Sequence, residues 1–344
     1  MSLLSPVVGA EMPSTGRLVD PFARAHTYLR VSVTDRCNFR CTYCMPAEGL
    51  DWMPRAELLT FEEITRIVRA FAAMGVFKVR LTGGEPTVRN NLTALVGMLA
   101  AIPGITDLSL TTNGHRLDRM AEPLARAGLT RVNVSIDALD PALFAAMTRG
   151  GEVERVLAGI DAAVAAGLRP VKLNCVVIRG ENDHEVLPLI ERFAARPEIA
   201  VRFIEYMPFS KVDAATRHLA ARELRERIGA RYTLEPVARA PGAGPSVDWR
   251  LKETGQTIGF VSPITEHFCD GCNRLRLQAD GHLRTCLSRE AAPSLRDVLR
   301  RGLDDAGLEH LLRERVWAKV AGHQAHLEGE GFAAFEGAMT PIGG

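Results

Sequence analysis

The residues best suited to chemistry form one short stretch, Asp35-Arg36-Cys37-Asn38-Phe39-Arg40-Cys41-Thr42-Tyr43-Cys44, whose three cysteines are separated by three and then two residues. Three thiolates on one loop read first as metal ligands. A four-iron, four-sulfur cube normally takes four cysteines, so three leave one iron free to bind something else. An open position is what separates a working metal site from a closed structural one. The competing reading is a zinc knuckle completed by a distant histidine such as His26, since no histidine lies at ligand spacing within the loop.

A second triplet, Cys269, Cys272 and Cys286, has spacings of two and thirteen residues. Zinc with His267 or His282 as fourth ligand is open here too. Arg274 and Arg276 favour another use, because strand alternation turns both guanidiniums to one side, where they can chelate phosphate or a purine edge. Only Cys175 stands alone. Beside Asn174, Val176 and Val177 it reads as a small buried side chain with no chemical role. A third element is Thr82-Gly83-Gly84-Glu85-Pro86. Two glycines let backbone approach a ligand closely, and a carboxylate beside them accepts from an ammonium group. Taken alone this turn is a weak signal.

These residues need a scaffold, and the chain supplies a repeated one. The run Leu29 to Val33 precedes the first cysteine loop, and Phe77 to Leu81 precedes the glycine turn. Further strands are expected at Ile105 to Leu110, Arg131 to Ser135, Val171 to Val177 and Ala200 to Ile204. Thr60 and Glu63 form a capping box ahead of Ile64, Ile67, Val68, Phe71 and Ala72, one apolar helix face. Other helices are expected near 91–100, 117–127, 152–166 and 183–195. About six β-then-α units imply a parallel sheet covered by helices. The unusual residues, including Thr111, Ser135, Asn174 and Met207, fall toward the carboxyl ends of the strands, where parallel α/β folds place their sites. One site built from six loops is the expectation.

Past Ala220 the rhythm changes to a charged helix over Ala221 to Ile228, a breaker-rich loop at Pro241 to Pro245, short strands around the second cysteines, and helices near Leu295 to Leu299 and Leu308 to Val316. We therefore expect a mobile lead-in over 1–25, an α/β body over 26–240, and a C-terminal region over 241–344 that ends in a flexible Gly343-Gly344 tail.

Composition limits the alternatives. With 344 residues and 47% apolar content the chain can bury one large core or two modest ones. Lysine and arginine total 42 against 41 acidic residues, so no global field favours nucleic acid or an anionic membrane. The start lacks the basic residues of a signal peptide, and the longest uncharged run, Asn90 to Thr106, contains Pro103-Gly104 and is a poor spanning helix. An odd number of cysteines in such a chain argues for metal ligation over a disulfide framework. The expectation is a soluble cytoplasmic protein.

The first loop, with Tyr43 before its last cysteine, resembles that of the radical S-adenosylmethionine (SAM) superfamily. Within it, Phe268-Cys269-x2-Cys272-Asn273-Arg274-Leu275-Arg276-Leu277, followed by Asp280-Gly281-x-Leu283-Arg284-x-Cys286, is similar to the GTP-cyclising family that opens molybdenum cofactor biosynthesis. Thr-Thr-Asn-Gly, Asn-Val-Ser-Ile-Asp and Arg-Phe-Ile-Glu-Tyr-Met-Pro extend the resemblance from about Leu29 to Gly344. It implies a partial (β/α)6 TIM-like barrel with a C-terminal α+β extension. It further implies two [4Fe–4S] clusters, on Cys37, Cys41 and Cys44 and on Cys269, Cys272 and Cys286. SAM would be held on the first by its vacant iron, with Tyr43, Gly84, Glu85, Ser135 and Met207 around it. GTP would be held by Arg30, Arg80, Thr111, Lys172, Arg274 and Arg276, with its guanine on the second cluster. No Gly-x4-Gly-Lys-[Ser/Thr] loop competes for the triphosphate. Cys37, Cys41, Cys44, Arg274 and Arg276 would carry the lyase reaction.

In that reaction SAM is cleaved reductively, the adenosyl radical takes the ribose C3′ hydrogen of GTP, and the carbon radical attacks C8. The resemblance also implies an external electron donor, transfer of product to cyclic pyranopterin monophosphate synthase, a possible homodimer, and a Gly343-Gly344 tail that reaches the active site. Two rivals are a peptide maturase with an auxiliary cluster and a zinc-bearing scaffold without catalysis.

Overall fold

The computed structural model describes residues 4–7, 9–207, 214–238, 244–266, 268–287 and 292–322. The expected β-then-α rhythm is present. It runs β1 (Tyr28–Ser32), α1 (Phe61–Ala73), β2 (Lys78–Thr82), α2 (Leu92–Ala100), β3 (Asp107–Thr112), α3 (Leu117–Arg126), β4 (Arg131–Ser135), α4 (Pro141–Thr148), α5 (Val153–Ala165), β5 (Val171–Val177), α6 (Val186–Phe193) and β6 (Ile199–Glu205). The remainder is α7 (Ala214–Arg217), α8 (Ala221–Gly229), β7 (Leu234–Pro236), β8 (Val247–Leu251), β9 (Thr257–Val261), β10 (Arg274–Leu277), β11 (Leu283–Arg284), α9 (Leu295–Arg300) and α10 (Asp305–Trp317).

The Thr60 capping box forms as expected: Thr60 N–H donates to Glu63 (2.8 Å) and Glu63 N–H donates to the Thr60 hydroxyl (3.2 Å). Helix α4 is absent from the sequence expectations. Its signal was Asp140, whose side chain accepts from Leu143 N–H (2.7 Å), followed by Pro141 in the first turn.

All strands join one sheet in the order β11-β10-β1-β2-β3-β4-β5-β6-β9-β8-β7. Strands β1 to β6 are parallel and sequential, as a partial barrel requires. The C-terminal region supplies both flanks, with β10 parallel beside β1 and β9 parallel beside β6. Among the described residues β11 and β7 do not pair, so no ladder closes the barrel.

One face of this sheet is apolar. Leu29, Val31, Val79, Leu81, Leu108, Leu110, Val132, Val134, Leu173, Val201 and Leu275 pack there with helix residues such as Ile64, Ile67, Phe71 and Leu124 in one buried cluster. Cys175 belongs to it, as its surroundings suggested.

The lead-in is not mobile along its whole length. Leu18, Asp20 and Arg24 are buried, Leu18 N–H donates to the Met74 carbonyl (2.9 Å), and Val19 bridges Ala25. Polarity is a poor guide at Asp20 and Arg24, which are buried and paired with each other. Pro208, residues 241–243, His267 and the Gly343-Gly344 tail lie outside the described residues. Among the described residues no helix is long and apolar enough to cross a membrane.

Candidate active site

The two cysteine triplets sit at opposite ends of the sheet. Cys37, Cys41 and Cys44 follow the carboxyl end of β1, whereas Cys269 and Cys272 precede the amino end of β10, which runs parallel to β1. Strand β11 is antiparallel to β10 and returns Cys286 to that same end. The expectation of one site at the carboxyl face therefore needs correction: there are two loci, about one strand length apart, roughly 16 Å for five residues.

The first loop is held by the ends of three strands and by α4. Gly84 N–H donates to the Thr34 carbonyl and Glu85 N–H to the Arg36 carbonyl, both at 2.8 Å. A Cβ on Gly83 would overlap the Thr34 carbonyl, and one on Gly84 would overlap the carbonyls of Asp35 and Arg36. The glycine pair thus admits the cysteine loop's own backbone, a physical reason that differs from the ligand approach expected of it. Asn113 Nδ2 donates to Asn38 Oδ1 (2.9 Å), and Arg40 N–H and Thr42 N–H donate to the Thr148 and Met147 carbonyls (3.0 and 2.9 Å). Tyr43 hydroxyl donates to Asp137 Oδ2 (2.7 Å), just beyond β4, and burial raises that carboxyl to about 6.

Glu85 is buried at the junction of β2 and β3. Its carboxylate accepts from Thr87 N–H (3.0 Å) and hydroxyl (2.6 Å), Thr112 hydroxyl (2.7 Å) and Asn113 N–H (2.6 Å), while burial raises its pKa. Ser135 and Met207 lie half-buried at the carboxyl ends of β4 and β6, on the same side as Tyr43 and Gly84.

Between the two loci lies the other face of the sheet, which is polar. Register places Arg274, Tyr28, Lys78 and Asp107 in one row. Arg276, Arg30, Arg80, Ser109 and Arg131 form the next. Thr111, Asn133 and Lys172 make a third, and Ser135, Asn174 and Arg202 a fourth. On β10 and β1 to β6 this face carries eight cations (Arg274, Arg276, Arg30, Lys78, Arg80, Arg131, Lys172 and Arg202) and one carboxylate, Asp107, with Asp248 of β8 across from Arg202. Arg80, Arg131, Arg274 and Arg276 are buried, and the others are half-buried.

Charge crowding shows in the titrations. Burial pulls Arg30, Arg80, Arg202 and Arg276 each down to about 10. Burial, with repulsion from Arg202, Arg131 and Arg80, pulls Lys172 down to about 7. Burial would raise the Tyr28 phenol, but Arg80, Arg30, Lys78 and Arg274 outweigh it and bring it down to about 8. Asp107 engages Arg131 through both oxygens (3.0 and 2.7 Å) and Lys78 at 3.4 Å. The Thr111 hydroxyl is buried and has no hydrogen-bond partner among the described residues.

The expected site residues therefore fall into two groups. Tyr43, Gly84, Glu85, Ser135 and Met207 stand at the carboxyl ends, while Arg30, Arg80, Thr111, Lys172, Arg274 and Arg276 share the polar face. Arg80 and Lys172 lie deeper in their strands than the expected carboxyl-end position. Lys78, Arg131 and Arg202 were missed, although strand alternation puts them on the face of Arg80 and Lys172, which the resemblance had pointed to.

Both triplets bring thiols of the kind iron–sulfur ligation uses, although among the described residues no three potential ligands are drawn together into a metal site. None of the seven cysteines, all of them described residues, is in a disulfide. Burial pushes Cys37 up to about 12 and Cys41 well above the ordinary thiol range, so both need a metal to become thiolates. At the second locus burial is outweighed by Arg274, Lys319 and Arg276, which bring Cys272 down to about 6. Arg274 Nη2 and Lys319 Nζ each lie 3.8 Å from Cys272 Sγ. Of the histidines considered as zinc ligands, His26 meets Asp20 (3.0 Å) and His282 meets Asp280 (2.9 Å), while His267 lies outside the described residues.

Residues 31–193 match the model of the radical SAM superfamily, and residues 199–325 match Molybdenum Cofactor Synthesis C. The fold agrees with Streptococcus suis SuiB bound to S-adenosylmethionine, at a TM-score of 0.58 and 16% identity over 85% of this chain and 68% of that one. Fold and site together define a radical SAM enzyme, with [4Fe–4S] clusters and SAM as its cofactors.

The chain is 45% identical to the GTP 3′,8-cyclase of Pseudomonas entomophila over 91% of its length and 94% of the relative's. It is 47% identical to that of Paracoccus denitrificans over 91% of each. It belongs to the GTP 3′,8-cyclase family.

The docking of the first loop on Gly84 yields a prediction. Gly84→Ala should displace Asp35 and Arg36 and lower 5′-deoxyadenosine formation from SAM by at least about tenfold, an ordinary cost for misplacing a reacting group. Iron analysis should show loss from the first triplet only.

Proposed function

We propose that this chain converts GTP to (8S)-3′,8-cyclo-7,8-dihydroguanosine 5′-triphosphate, the first step of molybdenum cofactor biosynthesis. The observation that carries this reading is the buried cationic face between the two cysteine triplets, because a face with eight cations and one carboxylate calls for a polyanion. A triphosphate supplies that charge, and Arg forks match its oxygens bidentately.

In this reading Cys37, Cys41 and Cys44 hold one [4Fe–4S] cluster, with Tyr43, Gly84, Glu85, Ser135 and Met207 forming the SAM side. Because the Glu85 carboxylate already accepts four hydrogen bonds, we assign it to shaping the site and leave direct SAM contact to the neighbouring backbone. Cys269, Cys272 and Cys286 hold the second cluster, beside which the guanine would sit. When bound, the cofactors supply reductive cleavage of SAM and the radical that abstracts a ribose hydrogen. The chain's own part is to orient the nucleotide and exclude water. Arg274 and Arg276 face the second triplet, Arg30, Arg80, Lys172 and Thr111 line the path, and we add Lys78 and Arg202 to this set. Asp107 holds Arg131 and Lys78 in place.

The segment over 26–240 would then generate the radical and the segment over 241–344 would hold the base. An external donor must supply the electron, and the product would pass to cyclic pyranopterin monophosphate synthase. Cysteines without disulfides suit a reducing cytoplasm, and a homodimer is compatible with this arrangement.

Two tests follow. Cys272→Ser should retain SAM cleavage within a few-fold while losing GTP cyclisation, whereas Cys41→Ser should lose both. Equal losses in the two variants, read as 5′-deoxyadenosine and cyclised nucleotide by chromatography, would contradict separate loci. The second test concerns Lys172. Its ammonium is depressed to about 7 by burial and like charge, so at pH 8 it is mostly neutral in the free enzyme. A bound triphosphate favours the charged form and raises that pKa. GTP binding near pH 8 should therefore take up about one more proton in the wild type than in Lys172→Met. Calorimetry in buffers of different ionisation enthalpy reads this difference, and identical uptake would remove Lys172 from the phosphate path.

A further inference from the structure

We propose that Arg24 is a positioning residue of the second cysteine locus, fastening the Cys269 loop to the segment that follows α10. The inference rests on the proposed function in taking that locus as the place where the nucleotide base is held. Nothing in the spacing of the cysteines points to the lead-in. The structure nonetheless buries Arg24 beneath them and uses its guanidinium in four directions.

Arg24 Nε donates to Asp20 Oδ2 (2.6 Å), Nη1 to the carbonyls of Cys269 (2.9 Å) and Ala321, and Nη2 to the Val320 carbonyl (2.7 Å). Three segments far apart in sequence therefore meet on one planar cation. Asp20 is built to hold that cation. Its Oδ1 accepts the N–H groups of Phe22 and Arg24 (3.0 and 3.1 Å), and its Oδ2 also meets His26 Nε2 (3.0 Å). Desolvation lowers His26 to about 4, so it stands neutral beside the carboxylate, which keeps its charge for Arg24. The turn costs backbone strain, since Ala23 adopts φ 59, a left-handed conformation unfavourable for alanine.

The segment after α10 contributes to the same locus. Lys319 is buried, donates to the Arg274 carbonyl (2.9 Å) and lies 3.8 Å from Cys272 Sγ. Gly322 packs so closely on Cys269 that a Cβ would come within 2.9 Å of its Sγ. Arg24 thus sets the height of Cys269 relative to Lys319 and Gly322, and with it the position of the ligand set beside Arg274. A lysine offers one point charge in place of a fork and cannot span Asp20 and three carbonyls.

The test uses the full chain with and without reconstituted clusters, comparing wild type, Arg24→Lys and Asp20→Asn. Amide hydrogen exchange should quicken by about tenfold or more in peptides covering 268–273 and 318–322 in both variants, with β3 to β5 unchanged. In reconstituted protein, 5′-deoxyadenosine formation should stay within about twofold while cyclised nucleotide falls at least about tenfold. Faster exchange across the whole sheet, no change at 268–273 and 318–322, or an equal fall of both products would each overturn the assignment. A wild-type protein that makes no cyclised nucleotide would refute the proposed function, while the exchange result would still decide the role of Arg24.

Discussion

The structure depends on a charge imbalance that it cannot relieve by itself. A parallel sheet covered by helices on one face buries its apolar side chains there, and strand alternation commits the opposite side chains to the other face. In this chain that other face is cationic from Arg274 to Arg202, with Asp107 the single acid on the central strands. Two like charges about 4 Å apart repel by about 4 kcal/mol at an effective dielectric of 20. Desolvation first, and repulsion among these cations with it, depress the pKa of Arg30, Arg80, Arg276 and Lys172. A bound polyanion offsets both terms, so affinity for the nucleotide and stability of the folded chain are linked.

The same sheet explains why the two loci stay separate yet cooperate. The first cysteine loop docks on strand ends through backbone contacts that only glycine at 83 and 84 permits. The second is fixed at the opposite end, because β10 joins β1 in parallel and β11 turns back. Insertion of β10 and β9 on the two flanks makes the C-terminal region part of the same sheet as β1 to β6. In the proposed reading, a radical formed at the first locus would then meet the ribose of a nucleotide whose base is held at the second.

Much of this was legible in the residues, and what was not has physical causes. Both triplets and the six parallel strands could be read directly, because cysteine spacing and period-two alternation are local signals. The placement of the triplets at opposite ends was not, since it depends on β10 pairing with β1 across more than two hundred residues of chain. Lys78, Arg131 and Arg202 share the parity of Arg80 and Lys172, yet parity becomes a shared face only once the register is known. The packing of the cysteine loop's backbone on the glycine pair was not foreseen, as local sequence does not say which backbone will approach. Within the lead-in, Asp20 and Arg24 look like solvent-facing residues until Arg24 meets its partners at Cys269, Val320 and Ala321.

The central claim is that the nucleotide spans the polar face with its base at the second locus and its ribose turned toward the first. The most direct measurement is isotope transfer from GTP carrying deuterium at C3′, incubated anaerobically with reduced enzyme and SAM. The account predicts that deuterium appears in 5′-deoxyadenosine by mass spectrometry, with GTP deuterated at other ribose carbons giving none. Unlabelled 5′-deoxyadenosine from the C3′ substrate, or label arriving from another ribose position, would contradict it.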